Sequence, residues 1–219
     1  MLTYRHAVRE TAGVIAGAID RSVKALYEKR VEQEPAMTDR MLGAIEESMH
    51  GKNIKGIKWE AKTLTDRGRG AHEKTYGADF MGVLNIDLPD FKVSKGFLAQ
   101  AKLIKAKKYD LKELKSQCEK MLTLSPDSFV FFYHTNGIRV VPAIAVVGSK
   151  IDPYSLLYNH SAQRFFENHL ECFIGDRTIS SPTPDTLMTL LEKFNARSAL
   201  LLTGKAGDGV DYAPDRETT

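Results

Sequence analysis

The chain has 219 residues, is 42% hydrophobic and 27% charged, and carries a formal net charge of +3. That length suits one domain with a substantial core, and the mild charge does not by itself demand a polyanionic partner. No apolar run approaches bilayer length, so no membrane partner is expected. Cys118 and Cys172 lack zinc spacing, and the charged N-terminus carries no secretory pattern, so the expected compartment is the reducing cytoplasm.

Residues 4–33 predict one long helix, because Val8, Ala12, Ile15, Ile19, Val23, Leu26 and Tyr27 recur at spacings of three and four. Pro35 interrupts it. A second helix follows, with Thr38 as its expected cap, Met41, Leu42, Ile45 and Met49 as its apolar face, and Gly51 near its end. Ile57 to Leu64 alternates as a strand. The polar stretch 66–76 then delivers the chain to a second strand. Arg67, Arg69, His72 and Lys74 in this stretch can meet phosphate, and Glu73 can approach a metal.

The second strand runs from Gly77 to Leu88. Its period of two places Asp79, Met81, Val83, Asn85 and Asp87 on one face and an apolar row on the other. A short connection leads to a third strand, Gly96 to Ile104. There Gln100 and Lys102 share a face, while Ala99, Ala101 and Leu103 point into a core. A hairpin is the simplest pairing, and it brings Gln100 and Lys102 beside Asp79.

A helix over 111–124 is expected next, with Leu114, Cys118, Met121 and Leu122 inward. A strongly apolar strand follows at Phe129 to His134, then an Asn136-Gly137 turn and a returning strand over 138–147, bent or at an edge because of Pro142. The last third reads as helical. Tyr154, Leu157, Tyr158, Phe165, Phe166, Leu170 and Phe173 form an aromatic face suited to a core or a dimer. A further helix opens at Thr183-Pro184-Asp185. From Gly204 the chain reads as a disordered tail.

Asp79, Gln100 and Lys102 are the candidate catalytic residues. A hard cation such as Mg²⁺, or Mn²⁺ in its place, takes oxygen ligands, usually one or two carboxylates with waters and substrate oxygens. Asp79 supplies a carboxylate, Gln100 an amide oxygen and Ala101 a backbone carbonyl. Lys102 can position a water and stabilise charge on phosphorus. Taken singly, an acid at a strand start or a lysine on a strand face is commonplace; the joint spacing carries the reading. Lys92, Lys95, Lys102, Lys105, Lys107, Lys108, Lys112, Lys115 and Lys120 crowd the same segment and can track phosphates, with Lys105 nearest the site in sequence.

At these residues the chain resembles the PD-(D/E)XK nuclease superfamily, in the variant with Gln before x-Lys that Mrr-like restriction endonucleases carry. The resemblance implies an α/β fold: a restriction-endonuclease-like core of helix, three strands, helix and strand over about 34–148, with a mixed sheet. Helical additions lie at about 1–33 and 149–203, giving one domain over 1–203 before the tail at 204–219. It implies a further acid on the helix before the first strand, from Glu34, Glu46 or Glu47, with Glu34 favoured. It also implies a supporting role for Gln117. The expected activity is metal-dependent DNA endonuclease cleavage in restriction or phage defence. Two sites are needed to cut a duplex, so a homodimer is expected. The rival expectation is a non-catalytic DNA-binding or assembly subunit that keeps the fold.

Overall fold

The two apolar runs on either side of Pro89 pair as an antiparallel hairpin. They form β3 (Ala78–Asp87) and β4 (Lys92–Leu103), in a register that sets Phe80 opposite Ala99 and Asp87 opposite Lys92. The structure is a computed structural model and describes residues 5–66, 77–104, 109–150, 159–180 and 183–207.

Before the hairpin come α1 (Arg5–Tyr27), α2 (Glu34–Met49), the short β1 (Asn53–Ile54) and β2 (Ile57–Thr65). After it come α3 (Leu111–Leu124), β5 (Ser128–His134), β6 (Gly137–Pro142), α4 (Ala143–Gly148), β7 (His160–Ser161), α5 (Ala162–Leu170), α6 (Leu187–Lys193) and β8 (Ala196–Ala206). The strands make one open mixed sheet in the order β1-β2-β8-β3-β4-β5-β6-β7. The fold is therefore α/β, with eight strands and six α-helices among the described residues. None of these helices is long and apolar enough to cross a membrane.

Both faces of the sheet are covered, as the near-continuous apolar runs of its central strands require. On one face Phe80, Leu84, Ile86, Phe97, Phe131 and Tyr133 pack against α1, α2 and α5. On the other, Met81, Val83, Leu98, Val130 and Phe132 pack against α3, α4 and α6. Phe165 and Phe166 of α5 are buried in the first cluster. Phe97 meets the Phe165 ring edge-on at 4.9 Å between centroids. That part of the aromatic face is core, whereas Phe173 is 67% exposed; Tyr154, Leu157 and Tyr158 lie outside the described residues.

Four local expectations are corrected. The first helix ends at Tyr27, short of residue 33. Gln33, not Thr38, occupies the N-cap of α2. Pro35 sits in the first turn, where its missing N–H costs nothing. Thr38 instead lies one turn inside, its Oγ1 donating to Glu34 O at 3.1 Å and meeting the Tyr133 hydroxyl at 3.0 Å. The returning strand β6 stops at Pro142, and Ala143–Gly148 turns helical.

The fourth correction is the largest. The stretch 149–203, expected to be helical, contributes most of β8, which is wedged between β2 and β3. It runs antiparallel to β2 and parallel to β3. Leu200 and Leu202 enter one core cluster, and Ala199 and Leu201 enter the other. A run apolar on both faces suits a central strand as well as a helix. Between α2 and α3 the chain forms β1, β2, β3 and β4, and β5 follows α3, but β2 and β3 are not neighbours in the sheet. Strand β8 also continues through Gly204 to Ala206, past the expected start of the tail; positions 208–219 lie outside the described residues.

Gly82 is paired with Phe97 across the hairpin, and a Cβ there would stand 2.4 Å from the Phe97 ring. Gly82→Ala should therefore overpack the core and cost about 1–3 kcal/mol, read as a lowered urea midpoint with an unchanged slope.

Candidate functional site

The site forms where β4 outruns β3. In β4, the amides of Leu98 and Ile104 point toward β5 and donate to Asp127 O and Tyr133 O. Alternation turns the amides of Ala101 and Leu103 the other way, toward β3. By then β3 is leaving: Gly77 N and Ala78 N both donate to Asn195 O, on the side of β8. Two buried backbone donors are thus left without strand partners, and each must find an acceptor.

Two carboxylates take them. Ala101 N donates to Asp79 Oδ2 at 2.8 Å, and Leu103 N donates to Glu34 Oε2 at 2.7 Å. Gln100 Nε2 also donates to Asp79 Oδ2. Lys102 Nζ pairs with Glu34 Oε1 at 3.3 Å, and its side chain is only 12% exposed. Glu34, the first residue of α2, thereby bridges the backbone and side chain of β4. The structure brings Asp79, Gln100, Ala101, Lys102 and Glu34 into one cluster. Of the other acids considered, Glu46 is engaged with Thr63 Oγ1 and Glu47 is exposed.

The electrostatics are those of a partly dehydrated anion. Burial pushes the Asp79 carboxyl above its ordinary value, against the Ala101 amide, the Lys102 ammonium and the Arg197 guanidinium, all of which favour its charged form. Nearby Glu34 raises it further. Burial also pushes the Tyr133 hydroxyl up and keeps it protonated; it sits in the same field and meets Thr38. Beneath Lys102, burial pushes the Cys118 thiol up to about 12, opposed by the lysine.

No group of three or more His, Cys, Asp and Glu side chains gathers as a metal cluster among the described residues. The donor set here is two carboxylates, an amide and a backbone carbonyl, which fits a hard, water-carrying cation better than zinc. Both hydrogen bonds to Asp79 fall on Oδ2, so Oδ1 is the oxygen left for a cation. Buried Ala101 directs its carbonyl to the same strand edge as its N–H.

The other predicted residues fare differently. Arg67, Arg69, His72, Glu73, Lys74 and Lys105 lie outside the described residues. Gln117 is on α3, bonded to Glu113 at 3.2 Å, with a buried Oε1 that meets no partner; none of its hydrogen bonds reaches the cluster. Two lysines of the stripe are engaged with backbone carbonyls: Lys95 is 2% exposed and donates inward to Ile174 O at 2.6 Å, and Lys115 donates to Ser149 O at 2.5 Å; Lys92, Lys112 and Lys120 are exposed. Sequence reading missed Arg197, Thr38 and Tyr133 as neighbours of the site. Arg197 is the second residue of a strand that was read as helix, so its register beside Asp79 was hidden.

The chain has no match among protein-family models, curated proteins or solved structures. Its site is therefore read on its own geometry.

A raised carboxyl has a defined sign. Between the ordinary value near 3.9 and its raised folded value, Asp79 binds its proton better in the native state. Its contribution to stability is lost as pH rises through the folded value. Asp79→Asn keeps an acceptor for Ala101 N and removes the charge. The stability difference, variant minus wild type, should grow from pH 4 to pH 7 in urea titrations; a less stable variant at pH 7 would contradict the burial argument.

Proposed function

We propose that the chain is a metal-dependent DNA endonuclease that hydrolyses phosphodiester bonds. The observation that carries this reading is the convergence of Asp79, Gln100, Lys102 and Glu34 where β3 and β4 part. It joins two carboxylates to an ammonium at the open end of a sheet.

Asp79 and Glu34 are the residues that would hold Mg²⁺ or Mn²⁺, with the Ala101 carbonyl and, once its amide is turned, the Gln100 oxygen beside them. Such an ion neutralises charge on a phosphate and acidifies a bound water. The protein's own part is positional. Lys102, confined by its ion pair with Glu34, presents a fixed ammonium to a phosphate oxygen and to charge developing on phosphorus. The partly dry setting of Asp79 strengthens these interactions relative to water. The chain order from α2 to β5 supports a restriction-endonuclease-like core in which β8 is an added central strand. Cleavage of both strands of a duplex calls for two copies, and restriction or phage defence in the cytoplasm is the proposed setting.

One observation favours a second reading, a DNA-binding or assembly subunit without catalysis. Gln100 turns its amide N–H toward Asp79, so the side chain at this position acts as a hydrogen-bond donor to the carboxylate rather than as an oxygen ligand beside it.

Plasmid cleavage with Mg²⁺, Mn²⁺ or EDTA separates the two. The endonuclease reading expects nicking or cutting that EDTA abolishes. It also expects losses of at least about 100-fold in Asp79→Asn and Lys102→Ala, and a smaller loss in Glu34→Gln, which retains an acceptor for Leu103 N. Salt-sensitive DNA binding with no cleavage and no Mn²⁺ uptake would establish the second reading instead.

A further inference from the structure

We propose that Arg197 is the phosphate-positioning residue of this site, a role that rests on the endonuclease reading above. The parallel ladder pairs Ala78 with Ala196 and Phe80 with Ser198. Arg197 therefore stands abreast of Asp79 on the next strand, on the same face. The strand on the other side of Asp79 carries Lys102. On that strand Gln100 lies opposite Asp79 and Lys102 stands two residues further on, so the two cations approach the carboxylate from different strands, with Lys102 offset along β4. That arrangement suits a phosphodiester held over Asp79 between the two cations.

The state of the guanidinium supports the assignment. Nη2 donates to Pro35 O at 3.2 Å and to Asp39 Oδ1 at 3.1 Å, in the first turns of α2. Nε is buried and meets no acceptor. A buried guanidinium donor without a partner is a cost that a fold removes unless a bound group accepts from it. The Arg197 side chain is 18% exposed and that of Asp39 46%, so the pair is open to solvent on the carboxylate side, where a phosphate can compete for the guanidinium. A planar guanidinium can grip two phosphate oxygens at once, which an ammonium cannot. Arg197 also lowers the pKa of Asp79, which places its charge within reach of the carboxylate. Lys102 then serves charge at the reacting phosphorus, and Arg197 fixes the phosphate's orientation.

The test compares wild type, Arg197→Gln, Arg197→Lys and Asp39→Asn. Each is assayed for cleavage of a labelled duplex with Mg²⁺, for affinity to the same duplex in EDTA, and for thermal midpoint. Arg197→Gln should lower kcat/KM by about 100-fold, chiefly in kcat, with its midpoint close to wild type. Arg197→Lys should recover only part of the rate, because the fork geometry is gone. Asp39→Asn should cut as wild type does. Wild-type cleavage by Arg197→Gln would overturn the proposal. So would a loss in Asp39→Asn equal to that in Arg197→Gln, since the ion pair with α2 would then be the whole role. If the wild-type protein does not cut at all, the endonuclease reading falls separately. Duplex affinity then decides for Arg197: a several-fold weakening in Arg197→Gln sustains a phosphate contact, and unchanged affinity overturns it.

Discussion

The site depends on an unequal pair of strands. β4 continues past the point where β3 begins, so the Ala101 and Leu103 amides face a gap inside the protein. Backbone donors in such a place must be satisfied, and here carboxylates satisfy them. The need for acceptors draws Asp79 and Glu34 inward, and the same backbone edge holds Gln100 and Lys102. Chemistry and folding therefore share residues. The acids that would grip a cation also close the end of the hairpin, which is why amide replacements are more informative than truncations at these positions.

The charges at this end of the sheet are nearly balanced. Asp79 and Glu34 are opposed by Lys102 and Arg197, each close enough to shift Asp79. Burial nevertheless dominates and lifts the Asp79 carboxyl. The native fold thus holds an anion that its surroundings compensate incompletely. Functional sites often retain such a local cost, because the group that relieves it is the ligand. A dication brought in with a phosphodiester adds little net charge to this end of the sheet.

How much of this was legible in the sequence follows from the range of the interactions. The two faces of β3 and β4 were readable because period-two alternation is local and Pro89 marks the turn. Glu34 could be favoured as the extra acid, but what holds it is a backbone amide 69 residues away, which no local pattern encodes. Thr38 was misplaced as a cap because Pro35 looked like a stop, whereas proline is welcome in a first helical turn. Arg197 and β8 were lost together. A run of alanine and leucine apolar on both faces looks alike as helix and as buried strand. Only its insertion between β2 and β3 reveals that Arg197 neighbours Asp79.

Gln at position 100 makes physical sense within this arrangement. A glutamate there would set a second carboxylate against Asp79 in a poorly solvated place, and one of the two would be driven to hold a proton. The amide instead donates to Asp79 and leaves it free to ionise with no cation bound. What is given up is ligand charge, since an amide oxygen binds a hard cation less strongly than a carboxylate. Glu34 can make good that charge from α2, at a distance set by its bond to Leu103 N rather than by strand spacing. A second acid on the helix rather than on the strand avoids repulsion across the hairpin while keeping two carboxylates at its open end. Gln100 and Glu34 together set the charge around Asp79, and the competence of the proposed site turns on Glu34 as much as on Gln100.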